Sequence, residues 1–147
     1  MTERRRLSDE NKAIARRLID EVWNTHSLDR FDDLYDPNYV SHALPPGFSP
    51  DREGMKQYHS QYFQAFPDMD ITVDGMIAEG DWVAVYYTGT GTHQGELIGI
   101  PPTGKYASAS AVLTLRIVDG KIVEDRLDGG KLSLLQQLGV IPSSAQA

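Results

Sequence analysis

A chain of 147 residues with 40% hydrophobic and 24% charged residues has the size and composition of one globular domain. Its net charge of -7 argues against a nucleic-acid surface, and the absence of cysteine excludes disulfides, thiolate metal sites and a cysteine nucleophile. No membrane-length apolar run and no signal peptide are evident, so we expect a cytoplasmic protein without nucleic-acid or membrane partners.

Three helices are predicted in the first half of the chain. The first spans about 8–23, because Ser8 offers a cap and apolar residues then recur at helical spacing, and it follows a basic tail at 1–7. A short second helix is predicted at 28–35. The third lies between Pro50 and Pro67, and its aromatic stripe, which includes Tyr62, is typical of a core or a cavity wall.

The apolar period changes to two at Met69, which predicts two strands, 69–78 and 81–93, joined at Glu79-Gly80. Uninterrupted alternation places Ile71, Val73 and Ile77 on the face of Trp82 and Tyr86. A loop rich in Gly and Pro follows. His93 begins that loop, and we expect it to hold the loop in place.

The last hairpin is predicted by Asp119-Gly120, which lies between two alternating runs and suits a two-residue type I′ turn. Regular pairing from this turn places Glu124, Arg126 and Asp128 on the face that carries Leu113. The three charged side chains then line a pocket, and burial requires Arg126 to contact one of the two acids. The alternative is an exposed edge strand with solvated charges, and a slip of one residue would exchange the faces.

The predicted elements are three helices, then an antiparallel meander, then a helix at 131–138. This order predicts an α+β fold, in which a curved antiparallel sheet wraps around the three N-terminal helices. No repeat or linker divides the chain, so we expect a single domain over residues 1–147, with a second tail at 143–147.

Four stretches together resemble the SnoaL-like polyketide cyclase, or ester cyclase, family of the nuclear-transport-factor-two-like superfamily. They are Tyr39–His42, the run from Gly91 to Lys105 (GTHQGELIGIPPTGK), Arg116–Glu124, and Leu134–Gly139. The resemblance implies a cone with an internal ligand cavity, a homodimer, and no metal or organic cofactor. It also implies acid/base chemistry on a small hydrophobic carbonyl compound, in which a carboxylate acts from an apolar pocket.

The chain departs from the family pattern near its last strand. The family has Trp at the position of Arg126 and its catalytic Asp at the position of Gly130. Asp128 returns to the same face of an extended strand and is our candidate replacement, with His42 as its partner in proton exchange. The candidate binding residues are Arg126, Glu124, Tyr39, Leu113 and Tyr62.

Two classes of function remain open at this point. The first is a cofactor-independent enzyme that cyclises or isomerises a carbonyl compound, with a hydratase or epoxide-hydrolase variant. The second is a non-catalytic protein that binds small ligands, in which Arg126 binds an anionic group of the ligand.

Overall fold

The computed structural model describes residues 2–142, and the predicted tail at 143–147 lies outside them. The helices are α1 (Glu3–Leu18), α2 (Phe31–Leu34), α3 (Arg52–Ala65) and α4 (Lys131–Gln137). The strands are β1 (Tyr35–Ser41), β2 (Asp70–Glu79), β3 (Trp82–Thr92), β4 (Tyr106–Val118) and β5 (Lys121–Asp128). Within residues 2–142, no helix is long and apolar enough to cross a membrane.

The five strands form one curved, unclosed sheet in the order β1-β5-β4-β3-β2. Strands β2 to β5 are an antiparallel meander, whereas β1 joins the edge as a parallel neighbour of β5. With the helices placed before and after the sheet, this arrangement confirms the predicted α+β fold. We call the helix-covered side of the sheet its inner face and the other side its outer face.

The first helix begins at Glu3 rather than at Ser8. The hydroxyl oxygen of Thr2 accepts a hydrogen bond from the backbone N–H of Arg5 at 3.1 Å and so caps the helix. The basic residues assigned to a tail are therefore mostly helical, and the predicted start of the helix is wrong. At its other end α1 continues as a single π-helical segment, Ile19–Trp23, which brings Trp23 against the inner face.

The core lies between the helices and the inner face of the sheet. Its fully buried side chains come from α1 and α2 on one side and from the sheet on the other, and include Leu18, Val22, Phe31, Leu34, Val83, Val85, Leu115 and Ile122. Burying each of these large apolar side chains contributes roughly 1.5–3 kcal/mol relative to leaving it in water. The inner face of the sheet is therefore fixed by burial.

A bulge at Asp74 interrupts the alternation of side chains along β2. Odd-numbered residues point to the inner face before the bulge and to the outer face after it. Val73 lies opposite Tyr87, whereas Gly75 lies opposite Tyr86. As a result Ile71 is buried on the inner face, whereas Ile77 is 59% exposed on the outer face. The predicted grouping of Ile71 and Val73 with Ile77 is wrong, because uninterrupted alternation does not allow for the extra residue.

A second register shift divides β5. The predicted turn is confirmed: Asp119 and Gly120 both have positive φ (51° and 76°), and Ile117 lies opposite Ile122. Beyond this pair the register shifts by one residue at Val123.

The pairs that follow the shift join Arg116 to Glu124, Leu115 to Asp125, Thr114 to Arg126, Leu113 to Leu127 and Val112 to Asp128. Asp125 and Leu127 therefore occupy the inner face beside Leu113 and Leu115. The predicted pairing, in which Leu113 faces Arg126 and Ala111 faces Asp128, is wrong.

Candidate ligand cavity

A cavity of about 160 Å³ lies between α3 and the inner face of the sheet. One wall is aromatic and comes from α3 and the end of α1: Trp23, Tyr58, His59, Tyr62, Phe63 and Phe66. The opposite wall, on β3 and β4, consists of small residues: Gly89, Gly91, Ala107, Ala109 and Ala111. Because these side chains are short, the sheet leaves space where a larger side chain would touch the helix.

Two predicted binding residues lie in this cavity. Tyr62 belongs to the aromatic wall, and Leu113 belongs to β4 beside Leu127. On the side of α4, the lining includes Gly129 and Lys131, which are exposed and mark the opening of the cavity to solvent. The ammonium group of Lys131 lies 5.9 Å from the ring centroid of Tyr58.

Asp125 is the one carboxylate among the lining residues that the structure describes. It is only 2% exposed. The hydroxyl of Tyr39 donates a short hydrogen bond to Oδ2, and the hydroxyl of Ser41 donates one to Oδ1 at 2.7 Å. Both donors lie on β1, where Ser41 is the direct neighbour of Asp125 in the parallel pair.

Burial dominates the electrostatics of Asp125. Its pKa is raised because burial penalises the charged carboxylate, although the hydrogen bonds from Tyr39 and Ser41 pull the pKa in the opposite direction. Tyr35 lines the cavity beside it, and burial, assisted by the charge of Asp125, raises the pKa of the Tyr35 hydroxyl well above its ordinary value. The site therefore combines a carboxylate suited to proton transfer with a neutral phenol.

Glu124, Arg126 and Asp128 lie outside the cavity. After the shift at Val123 they follow the outer face of β5, so the prediction that they line the pocket is wrong. Because Arg126 and Asp128 are exposed, the argument that burial forces Arg126 to pair with an acid no longer applies. Asp128 is not positioned to replace the missing family carboxylate.

His42 also lies on the outer side, and the prediction that its ring reaches the cavity is wrong. Its Nε2 is 2.9 Å from Oε2 of Glu124, and its side chain is 40% exposed. Arg116 approaches the other oxygen of Glu124 at 3.5 Å. His42 does meet the last hairpin, but on the solvent side. Tyr39 lies only three positions before His42 in sequence, yet its side chain is buried and reaches Asp125.

The sequence prediction does not include Asp125, because it assumes a regular hairpin. The sequence contains a usable signal: Ile122 and Leu127 are both apolar, but they are five positions apart, which is an odd number. An unbroken strand would place them on opposite faces. Burying both requires a bulge between them, and the bulge turns Asp125 inward.

Gly130, the position at which the resemblance implies a catalytic Asp, lines the cavity. Its backbone has φ 84° and ψ -39°, which side chains rarely adopt. A Cβ here would lie 3.2 Å from the carbonyl oxygen of Ser110 and 3.3 Å from the Cβ of Ala111. The local backbone therefore disfavours an acid at position 130 in this chain.

His93 is fully buried at the base of the loop that precedes β4. Its Nδ1 lies 3.2 Å from the backbone nitrogen of Thr103, which donates to it, and 3.1 Å from the Thr103 hydroxyl. These contacts join the two ends of the loop, which is the placement predicted for this residue. Among residues 2–142, no group of three or more His, Asp or Glu side chains could hold a metal ion.

A curved sheet covered by helices, with a carboxylate in an otherwise aromatic and apolar cavity, defines an α+β cone of the nuclear-transport-factor-two-like class. Within that class, the chain belongs to the SnoaL-like polyketide cyclase family, whose model matches residues 13–138. The predicted resemblance is thereby confirmed.

Two curated relatives are named as methyl ester cyclases. Nogalonic acid methyl ester cyclase of Streptomyces nogalater is 33% identical over 120 residues, which cover 80% of this chain and 90% of that protein. Aklanonic acid methyl ester cyclase AcmA of Streptomyces galilaeus is 28% identical over 125 residues, covering 80% and 82%.

Solved structures agree with the fold. AclR from Streptomyces galilaeus, a suggested hydroxylase, superposes with a TM-score of 0.79 and 32% identity, covering 92% of this chain and 85% of its own. IdmH from Streptomyces antibioticus superposes with a TM-score of 0.74 and 33% identity, covering 88% and 98%.

Proposed function

We propose that this protein is an enzyme that closes a ring in a small polyketide-like carbonyl compound, without a cofactor, by general acid–base catalysis through Asp125. The observation that carries the proposal is the buried carboxylate of Asp125, the single acid that residues 2–142 place in a largely aromatic and apolar cavity. Membership in the family and similarity to two methyl ester cyclases support ring closure as the reaction.

The first step is the removal of a proton from a carbon next to a carbonyl group. Carboxylates are ordinarily too weak as bases for this task, but burial raises the pKa of Asp125 and brings it closer to the operating pH. The hydrogen bonds from Tyr39 and Ser41 fix the direction of the carboxylate. Each oxygen keeps a second lone pair with which it can take the proton.

The second step forms the ring. The electron pair of the enolate carbon forms a bond to a second carbonyl carbon of the same molecule, while the π bond of that carbonyl breaks toward its oxygen. This oxygen then takes back the proton held by Asp125, so the product is an isomer of the substrate. The Tyr35 hydroxyl, which lines the cavity and stays protonated, is our candidate donor to the developing oxyanion.

The cavity limits how much of a substrate is enclosed. Its volume of about 160 Å³ is close to the roughly 150 Å³ of a known apolar cavity that holds benzene. One aromatic ring therefore fits against the aromatic wall, and a second fused ring has to reach toward the opening. A larger polyketide has to extend through the opening beside Gly129 and Lys131.

The proposal is tested with the methyl esters of nogalonic and aklanonic acid, the compounds named for the two relatives. Chromatography with mass spectrometry should show a product of unchanged mass and new retention time, and Asp125→Asn should abolish it. Addition of water would instead indicate a hydratase, and addition of oxygen a hydroxylase. Binding without conversion of either ester would favour the non-catalytic binder.

We also infer that the chain forms a homodimer through the outer face of the sheet. Three large apolar side chains are exposed there: Ile77, Tyr86 and Tyr106 are 59%, 40% and 63% exposed. They lie on three adjacent strands, with Ile77 and Tyr86 toward one end of the sheet and Tyr106 toward the other, so a second copy that covers all three spans the length of this face. A stable interface of this kind buries more than about 1,200 Å² in total.

A further inference from the structure

The short helix α4 covers one side of the cavity. Lys131 at its start and Leu134 in its middle are both lining residues. The helix itself is only loosely buried, because residues 131–133 and Gln137 are exposed and residues 134–136 are half-buried. Elements that bury few apolar contacts open locally at a lower free energy than the core does. Of the elements around the cavity, α4 is therefore the one best suited to move.

Two consecutive glycines join α4 to the sheet. β5 ends at Asp128, and Gly129 and Gly130 follow it with φ of 86° and 84° before the helix begins at Lys131. Glycine adopts positive and negative φ about equally readily, so the chain can change direction here at little cost. Hinges of moving elements are a few positions of this kind at the end of an element. Because both glycines line the cavity, rotation about them widens its opening.

A side-chain amide ties the far end of α4 to the sheet. β5 pairs with β4 as far as Val112, so residues 106–111 of β4 continue without β5 beside them. Gln137 occupies this edge. Its Oε1 accepts a hydrogen bond from the backbone N–H of Ser108 at 2.8 Å, and its Nε2 donates one to the Ser108 carbonyl at 2.8 Å. The amide thus makes the two bonds that a neighbouring strand would make.

The apolar contacts of α4 are less directional than this pair of hydrogen bonds. Leu138, directly after the helix, is 2% exposed, and it packs with Leu134 against a cluster that includes Phe66 and Ala107. Such contacts tolerate small displacements, whereas the bonds of Gln137 form only when the helix lies against β4. Two hydrogen bonds change an equilibrium between open and closed forms by about fivefold to a hundredfold.

We propose that α4 is a lid on the cavity, which opens about the two glycines and is held closed by Gln137 on Ser108. Opening admits a substrate that is wider than the entrance, and closing excludes water from Asp125 during the reaction. Gln137 contacts no reacting atom in this scheme and is a positioning residue. The inference rests on the proposed function only in taking this cavity as the substrate site.

The test compares Gln137→Ala with Gln136→Ala. Both variants make the same change in the same helix, but the amide of Gln136 donates to the carbonyl of Pro142 instead of the sheet. The probe is 2-naphthol, whose fluorescence follows binding and release in stopped-flow mixing. In Gln137→Ala the association and dissociation rate constants should each rise about fivefold or more, with Kd within about twofold of the native value. In Gln136→Ala all three should remain within about twofold.

The reason for expecting equal changes is that Gln137 stabilises the closed form to the same extent with and without ligand. Its removal therefore increases the open fraction in both states, which speeds entry and release alike. A fixed wall that merely contacts the ligand would behave differently, because damage to it speeds release and leaves entry unchanged.

Amide hydrogen exchange provides a second readout that needs no ligand. The N–H of Leu138 donates to the carbonyl of Leu134 at 3.0 Å, and it exchanges when the lid opens, since a helix of seven residues is unstable away from the sheet. The N–H of Ile117 donates to the carbonyl of Asp81 at 2.7 Å and reports on the sheet. Gln137→Ala should speed exchange at Leu138 about fivefold or more and leave exchange at Ile117 unchanged.

The outcomes separate the lid from the proposed reaction. An unchanged association rate constant in Gln137→Ala, a rise in dissociation alone, or unchanged exchange at Leu138 overturns the lid. Failure of 2-naphthol to bind the native chain overturns the lid together with the cavity as a ligand site. Conversion of an ester enters none of these readouts. A chain that shows the expected rates but converts no ester therefore disproves ring closure and retains the lid.

Discussion

The hydroxyl of Tyr39 donates a hydrogen bond to Oδ2 of Asp125, and this contact joins residues that are 86 positions apart in the chain. It exists because β1 returns to the edge of the meander and runs parallel to β5, with Ser41 directly beside Asp125. Each carboxylate oxygen of Asp125 therefore accepts a hydrogen bond from a residue of β1, and these two donors fix the direction of the carboxylate. A buried charged group without such partners would be far more costly.

Replacing Asp125 by Asn should abolish catalysis and preserve binding. The general base is removed, and positioned proton transfer contributes about 10²–10⁴-fold to rates, so we expect turnover to fall by at least about 10²-fold. The measurement is the initial rate with a methyl ester that the native chain converts. Asp128→Asn and His42→Gln, on the outer face, are the controls and should remain within about twofold of the native rate. Equal losses in Asp125→Asn and Asp128→Asn would contradict the assignment.

The same variant should gain in relative stability as the pH rises. Burial raises the pKa of Asp125 in the folded chain above its value in the unfolded chain. Its contribution to folding is therefore fully present below the unfolded pKa, about 3.9, and is lost as the pH rises through the folded pKa. Asparagine has no proton to lose.

Thermal unfolding followed by circular dichroism between pH 4 and pH 7 measures this effect. The melting temperature of Asp125→Asn, relative to that of the native chain, should increase across this range. A difference that is constant with pH, or that decreases, would show that the folded carboxylate does not have a raised pKa.

Tyr39→Phe should shift the pH dependence of catalysis, because it removes a hydrogen bond to Asp125 but keeps the carboxylate. The Tyr39 hydroxyl donates to Asp125 and lowers its pKa, so removing the hydroxyl should raise that pKa further. The acidic limb of the kcat profile should then move to higher pH, and the free energy of unfolding should fall by about 1 kcal/mol. Tyr106→Phe, at a 63% exposed position, should change neither quantity. An unmoved acidic limb would mean that a different group titrates in the reaction.

Filling the cavity from the sheet side should prevent binding while keeping the fold. Ala109 lies opposite Gly89 in the small-residue wall, so Ala109→Phe places a ring where the ligand ring is proposed to lie. We expect the affinity for 2-naphthol, used here as an aromatic probe of the cavity, to fall by at least about tenfold, which corresponds to about 1.4 kcal/mol. Ser108→Phe, one residue earlier and exposed on the outer face, is the matched control for the added bulk. Retained affinity in Ala109→Phe would place the binding site elsewhere.

The outer face should mediate dimer formation. Tyr86→Glu and Ile77→Lys each introduce a charge into the exposed apolar surface, and an unpaired charge in an interface is strongly unfavourable. Light scattering at micromolar concentration should report a dimer for the native chain and a monomer for the variants. A native monomer under these conditions would disprove the homodimer.

Much of the fold could be predicted from local patterns. The Asp119-Gly120 turn formed as expected because both positions require positive φ, and Asp and Gly tolerate it. The order of helices and strands followed from a change in apolar period near Met69. The predicted start of α1 at Ser8 is wrong because Thr2 caps the helix. Ser8 offers an equally good local signal, so the sequence alone does not distinguish the two caps.

The inward face of each strand depended on the whole structure. The extra residue at Val123 is placed so that Ile122 and Leu127 can both be buried against the same inner face, and this burial outweighs the regularity of one hairpin. A similar shift at Asp74 turns Ile71 inward and leaves Ile77 outside. Each bulge moves every side chain beyond it to the opposite face. A prediction that omits the extra residue at Val123 therefore places Glu124 and Arg126, and not Asp125, on the inner face.

The sequence by itself determined the class of fold, the turn at Asp119-Gly120 and the family, because these depend on local conformational preferences and on motifs with specific spacing. Only the tertiary structure decided which carboxylate reaches the cavity. That choice depends on the burial of distant apolar residues and on the parallel docking of β1, which brings Tyr39 and Ser41 to Asp125. Such contacts join parts of the chain that have no local preference for one another, so their geometry is settled by packing.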